Sequence, residues 1–256
     1  MPIDIQTLIS QRPHLKDPLK LYDKCRRFDQ QVTELLSKNK PAGPSAETKA
    51  YPPKNGAEIS QLFASIFGLP SEVIEPLGSL LEDGKLDFMQ LPTGETPKLA
   101  SLPYSDQELA GILFLLARPY FLALQESFGL SGSQWQDGNC PLCSAKPALT
   151  SVIEGPKRTL HCSFCGTSGP YRFIGCPGCG TVDAAKLNTI ISEDEPGFRV
   201  VTCDECRSYV KVMESSVLQE MTIDMADLAS LPLDIIAQQK GYHRQAPNPI
   251  SLKDIE

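Results

Sequence analysis

Eight of the nine cysteines fall in four Cys-x-x-Cys pairs inside one 67-residue window: Cys140/Cys143, Cys162/Cys165, Cys176/Cys179 and Cys203/Cys206. No other feature constrains the fold as tightly. Two thiolates separated by two residues can grip one soft metal ion from a single tight turn. They do so at about 2.3 Å each, with backbone N–H groups aimed at the sulfurs. Four such pairs supply two complete four-sulfur sites.

The window reads as one unit written twice, with an offset of 36 residues between Cys140 and Cys176. Each unit runs from a Cys-Pro-x-Cys pair through a strand, a Gly-containing turn and a second strand. It then reaches a second cysteine pair and an exit strand, carrying Tyr171 in the first unit and Tyr209 in the second. This is the plan of a rubredoxin-type or zinc-ribbon module, two cysteine knuckles brought together by a β-hairpin. The gaps of 18 residues (Cys143 to Cys162) and 23 residues (Cys179 to Cys203) fit a hairpin, whereas the 10 residues between Cys165 and Cys176 fit a connector. The preferred pairing therefore puts Cys140, Cys143, Cys162 and Cys165 on one ion and Cys176, Cys179, Cys203 and Cys206 on the other. A cross-braced pairing, first with third and second with fourth, stays open. Gly166 and Gly180, each just after a second cysteine, suit a positive-φ knuckle end. With four protein sulfurs per ion no position is left for water or substrate, which argues against metal-assisted hydrolysis. Sulfur-rich tetrahedral sites suit iron and zinc alike.

Upstream of the window the pattern is helical. Leu15, Leu19, Tyr22, Cys25, Val32 and Leu36 form an apolar stripe across residues 12–37. On that stripe Cys25 reads as a small buried hydrophobe rather than a ligand. The stretch 39–56, with four prolines, reads as a linker. Ile59, Leu62, Phe63, Ile66 and Phe67 make a second stripe, and residues 71–81 a short helix bent or begun near Pro76. Pro92, Pro97 and Pro103 mark another irregular stretch. Ser105-Asp-Gln-Glu108 is a capping box opening the longest helix, with Leu109, Ile112, Leu113, Leu116, Tyr120, Leu124 and Phe128 facing inward. From Thr222 the helical pattern returns, with Asp224 or Asp227 as caps, Pro232 dividing it into two pieces and Gly241 as a stop. The expected class is α+β: an all-α domain over 1–135, two tandem rubredoxin-like/zinc-ribbon modules over 136–174 and 175–214, and a helical tail over 215–256.

The formal charge of −7 argues against non-specific nucleic-acid binding, and two ions each held by four thiolates would shift it to about −11. The best membrane candidate, Leu109 to Leu124, is 16 residues long and is interrupted by Arg118 and Pro119, too short to span a bilayer. The first residues lack a signal peptide's basic and apolar regions. A cytoplasmic setting is the expectation, and there paired cysteines hold metal more often than they form disulfides. His161, beside Cys162, should point to the other face of its strand; His14 and His243 are near nothing suggestive. No phosphate loop or nucleophile elbow is present.

The chain also resembles the formate dehydrogenase accessory protein FdhE family. The resemblance rests on Arg12-Pro-His-Leu15, Leu21-Tyr22 and Arg26-Arg27 near the start. It is carried chiefly by the four cysteine motifs with Leu160-His-Cys-Ser-Phe-Cys-Gly-Thr167, and by Asp227-Leu-Ala-Ser-Leu-Pro-Leu-Asp234, Gly241-Tyr242 and Asn248-Pro249 in the tail. One departure is Ser144, where a knuckle glycine is common. The resemblance implies a maturation factor that is not itself an enzyme. Its partner would be the catalytic subunit of formate dehydrogenase, and its cofactors two metal ions per chain, iron or zinc, in rubredoxin-like sites. Self-association is left open. A rubredoxin-like redox protein and a zinc-ribbon nucleic-acid binder are the competing readings.

Overall fold

The computed structural model describes residues 3–38, 55–83, 85–86, 88, 91, 104–129, 131–135, 137–147, 149–153 and 157–246. The linker expected over 39–56 falls outside them except for its last two residues, and so does the stretch holding Pro92, Pro97 and Pro103. The chain forms two compact units. One comprises residues up to Lys20 together with Leu130–Pro247, and the other is built on Leu21–Gly129.

The helical stripe predicted over 12–37 resolves differently at its start. Helix α1 (Ile5–Gln11) is capped by Asp4, whose carboxylate accepts from the Gln6 and Thr7 N–H groups. Pro13 then breaks it, because the residue before a proline is pushed out of the helical region; Arg12 sits at φ −132°, ψ 72°. A 3-10 turn (Pro13–Leu15) leads into α2 (Lys16–Ser37). Leu15, Leu19, Tyr22, Cys25, Val32 and Leu36 are all buried.

In the second unit α3 (Gly56–Phe67) packs on α4 (Ser71–Glu82). The approach is close enough that a Cβ on Gly78 would lie 2.4 Å from the Ser60 hydroxyl. Helix α4 starts at Ser71 and runs through Pro76. Phe28 meets the Phe63 ring edge-on at 5.2 Å, and Phe63 stacks on Phe67 at 4.4 Å. Helix α5 (Asp106–Phe128) begins with the predicted capping box at Ser105. Leu109, Leu113, Leu116, Tyr120 and Leu124 are buried, and buried Arg118 pairs with Asp29. Phe128, expected to face inward, is instead 47% exposed, the last residue before the left-handed Gly129 cap. The membrane estimate also needs correcting. The helix does not stop at Leu124, and Glu108–Phe128 is long and apolar enough to cross a bilayer; with 61% of that window buried, it has the profile of a core helix.

The first unit is built on a sheet. Strands β1 (Leu149–Ile153), β2 (Lys157–His161) and β3 (Ser168–Tyr171) form one antiparallel set, and β4 (Leu187–Ile190), β5 (Phe198–Cys203) and β6 (Ser208–Glu214) another. These are the two predicted hairpins with their exit strands. The two sets lie edge to edge in one sheet. Strand β1 pairs parallel with β6, Leu149 opposite Lys211, giving a mixed sheet in the order β3-β2-β1-β6-β5-β4. The physical reason is legible in β6. Six of its seven residues are buried without alternation, which is the profile of a central strand that needs cover on both edges and both faces. After β6 come α6 (Ser215–Glu220), α7 (Ile223–Ala229) and α8 (Leu231–Gln239), then β7 (His243–Arg244), which pairs parallel with the start of β6. Thr222 caps α7 by accepting from the Met225 N–H, so neither Asp224 nor Asp227 is the cap. Pro232 sits in the first turn of α8, at the predicted break.

Candidate metal centres

The sheet brings the eight paired cysteines into two groups of four. Cys140, Cys143, Cys162 and Cys165 form one, and Cys176, Cys179, Cys203 and Cys206 the other, with the four sulfurs of each group within 4.8 Å of one another. This is the hairpin pairing; the cross-braced alternative is not what the chain adopts. Cys25 lies apart, buried on α2, and none of the nine is in a disulfide.

Each knuckle is the same piece of backbone. The residue after the second cysteine has positive φ in all four: Ser144 (62°), Gly166 (73°), Gly180 (78°) and Arg207 (57°). In the first three its N–H returns to the carbonyl of the first cysteine, at 2.9, 3.1 and 2.9 Å. The first-cysteine N–H groups of those knuckles bond the Ala145, Thr167 and Thr181 carbonyls at 2.9, 3.0 and 2.9 Å. The turn so made aims N–H groups at sulfur: that of Gly178 lies 3.3 Å from Cys176 Sγ, and those of Glu205 and Cys206 serve Cys203. The glycine missing after Cys143 is thus replaced by an exposed serine held in the left-handed region.

Four thiolates at about 2.3 Å from a tetrahedral ion stand about 3.8 Å from one another. In the second group Cys176–Cys206 and Cys179–Cys203 are 3.7 and 3.8 Å apart; in the first, Cys140–Cys165 and Cys143–Cys162 are 3.4 and 3.5 Å. The charge chemistry also fits a cation. Hydrogen bonds from its three neighbours pull the Cys140 thiol far below its usual value, while burial pushes Cys143 and Cys162 well up. Burial likewise lifts Cys203 to about 12. Burial acts upward on Cys206 too, but the Ser208 hydroxyl and N–H outweigh it and bring the thiol to about 7. Four sulfurs this close cannot all be thiolates without a positive ion between them, and each group can hold one metal ion.

The two groups differ in exposure. All four cysteines of the first are buried, whereas in the second Cys179 is exposed and Cys206 is half-buried. They also touch. Lys146, just after the first knuckle, donates to the Pro177 and Gly178 carbonyls of the third at 3.2 and 3.1 Å, and a Cβ on Gly138 would meet Pro177 O at 2.1 Å.

His161 lies outside both groups. It is buried, its Nε2 is 2.8 Å from the Ser151 hydroxyl, and burial lowers it to about 4. His14 and His243 also take no part. Sequence reasoning missed a second polar centre. Lys211, fully buried, binds Asp234 at 2.5 Å and Asp227 at 2.6 Å, and Arg244 binds Asp227 at 2.6 Å and Asp234 at 3.2 Å. The Tyr209 hydroxyl donates to Asp234 at 2.7 Å. The available signal was a lysine flanked by Val210 and Val212 in a strand with no polar face.

Fold and site together define a helical scaffold joined to one sheet that carries two closed four-cysteine centres. The model of the FdhE C-terminal domain matches residues 174–251. The chain is 28% identical over 142 residues to the FdhE homolog of Aquifex aeolicus, covering 54% of this chain and 50% of that protein. It is 32% identical over 114 residues to Protein FdhE of Escherichia coli O1:K1 / APEC, covering 43% and 36%. The matches thus span half or less of these relatives' lengths. The crystal structure of the FdhE protein from Pseudomonas aeruginosa shares the fold, with a TM-score of 0.59 over 97% of this chain and 93% of that one, at 20% identity. The chain is thus similar to FdhE proteins over its cysteine-rich C-terminal half, and it shares the fold of one of them.

Proposed function

We propose that the chain is a cytoplasmic accessory protein for formate dehydrogenase, that it is not itself an enzyme, and that it meets the catalytic subunit through its two four-cysteine metal centres. The observation that carries this is the closure of both groups on one sheet: eight sulfurs in two sets of four within 4.8 Å. That arrangement holds ions without offering them to substrate. Cys140, Cys143, Cys162 and Cys165 bind one ion, and Cys176, Cys179, Cys203 and Cys206 the other. Iron and zinc both suit an all-thiolate set. The bound ions supply the folding free energy that pins the knuckle loops, and the pinned loops give a partner a rigid surface. Unoxidised thiols in this density belong in a reducing compartment.

Two measurements test this. Protein purified without oxygen should hold two metal ions per chain, and a value near one breaks the two-site reading. The chain should capture the formate dehydrogenase catalytic subunit, and capture that survives replacement of all eight cysteines by serine removes the role given to the centres. A rubredoxin-like redox role is favoured by one observation, the exposure of Cys179, which opens a path for an electron. A colourless, zinc-loaded native protein rules that out.

A further inference from the structure

One face of the sheet carries a groove that the metal centres do not use. Its volume is about 270 Å³, and it runs across β2, β1, β6, β5 and β4, with Phe173–Gly175 forming part of its wall. Strand register explains what stands in it. Arg158 lies opposite Val152, Arg199 lies opposite Val212, and Val201 follows Arg199 on the same side of β5. Two guanidiniums therefore share a floor that is apolar apart from Thr189, and none of the described lining residues is acidic.

Arg158 is the informative residue. It is 6% exposed. Its Nε donates to Thr150 Oγ1 at 3.0 Å and its Nη1 to the Gly175 carbonyl at 2.8 Å. Its Nη2 is buried with no partner. Among the described residues no carboxylate lies within ion-pair distance of it. Among the described residues Arg199 has one ion-pair partner, Glu214 at 3.8 Å, with that side chain 59% exposed. The Tyr171 ring lies 5.8 Å from the Arg158 guanidinium carbon, and the Cys176 sulfur is near enough to favour its charge, but neither is a carboxylate bonded to it; a buried cation so partly compensated is costly. Burial holds the guanidinium down to about 10, against the opposing pull of Tyr171 and Cys176, and the like charge of Arg199 adds a little to the lowering. Support of the Cys176 knuckle through Gly175 accounts for Nη1 and leaves Nη2 unexplained. At the rim Phe173 and Ile174 are 48% and 53% exposed.

We propose that this groove takes an extended, acidic and apolar segment of a partner protein. The segment's Asp or Glu carboxylate sits on Arg158 and Arg199, and its apolar neighbours lie against Phe173 and Ile174. Charge complementarity selects this occupant. The groove is cationic on a chain of net charge −7, and its apolar wall suits a side chain rather than a nucleic-acid backbone, which such a chain repels. The source of the segment rests on the accessory-protein reading, in which the partner is the formate dehydrogenase catalytic subunit.

The test uses the full metal-loaded chain and an array of short overlapping peptides covering that subunit. Captured peptides should carry Asp or Glu beside apolar residues. Changing those carboxylates to amides should cut binding by about tenfold, the scale of one lost charge-assisted contact. Arg199→Glu and Phe173→Ser, both at partly exposed positions, should lose the same peptides; Arg26→Glu, on α2, should keep them. Arg199→Glu should also gain peptides whose carboxylates are replaced by lysine. Capture indifferent to the amide change or to Arg199→Glu overturns the proposal, and so does an array with no captured peptide. A parallel pull-down of the whole subunit separates the two readings. Equal capture by the native chain and by Arg199→Glu leaves the accessory role standing and removes the groove. Failure of the native chain to capture the subunit removes the accessory role, and the array alone then decides the groove.

Discussion

Replacing Lys211 by methionine removes a charge that the sheet has organised itself around. Its ammonium is fully buried and bonds Asp234 Oδ2 at 2.5 Å and the Asp227 main-chain carbonyl at 2.6 Å. With Arg244, the centre holds two cations against two carboxylates and is neutral in sum. Lys211→Met leaves Asp227 and Asp234 sharing one guanidinium, so a net negative charge stays buried; the exposure of the Asp234 side chain is 0%. Breaking such a pair from one side costs about 3–5 kcal/mol. Removing the partner as well costs less than the sum, because the stranded carboxylate is gone. In urea unfolding of the metal-loaded chain, Lys211→Met should lower stability by about 3–5 kcal/mol, and Lys211→Met/Asp234→Leu by clearly less than the two single changes added together. A loss under about 1 kcal/mol, or additive single effects, would refute the view that this centre is a coupled, desolvated network.

Asp227 makes that network depend on acid. Burial pushes its carboxyl up, but the charges of Arg244 and Lys211 outweigh this and hold it below its ordinary 3.8. A lowered folded-state value means the stabilisation is complete above the unfolded value, about 3.9, and is lost as pH falls through the folded value. The stability gap between the native chain and Asp227→Asn in urea should be full at neutral pH and narrow below about pH 4. Ser144→Gly should stabilise the zinc-loaded chain by about 0.5–1 kcal/mol, since an exposed serine at φ 62° bears a left-handed penalty that glycine avoids; an unchanged urea midpoint would count against this. A competing chelator should withdraw the ion of the Cys176/Cys179/Cys203/Cys206 group roughly tenfold or more faster than the other, because Cys179 is exposed and the other group is sealed. Cys179→Ser should speed that phase alone, and two indistinguishable phases would contradict the asymmetry.

Much of this was legible because metal geometry and local turns are encoded within a few residues. The cysteine spacing predicted both groups, and the capping box at Ser105 and the break near Pro232 appear as read. What escaped was long-range. The parallel pairing of β1 with β6 joins residues about 60 positions apart (Leu149 and Lys211) and leaves no local motif. The ion network escaped for a similar reason: Asp227 and Asp234 lie on separate short helices, and nothing in their own neighbourhoods marks them as partners of a strand lysine. Phe128 misled because periodicity continues to a helix end whether or not the core does.

The joined sheet changes what two metal modules can do. Separate modules would each fold on their own ion and move independently. Here Lys146 carries the first knuckle onto the third, β1 and β6 share a ladder, and β6 is tied through its own Lys211 to Asp227 of α7 and Asp234 of α8. A metal ion bound at either centre would therefore order one common platform. The centres still have unequal parts in it: the sealed group adds rigidity, while the group with Cys179 at the surface is the one a partner or a competing ligand can reach. Arg158 connects that exposed group to the groove, because the guanidinium whose Nη2 has no hydrogen-bond partner also donates to the Gly175 carbonyl, one residue before Cys176. A carboxylate held in the groove as proposed would share this guanidinium with the Gly175 carbonyl.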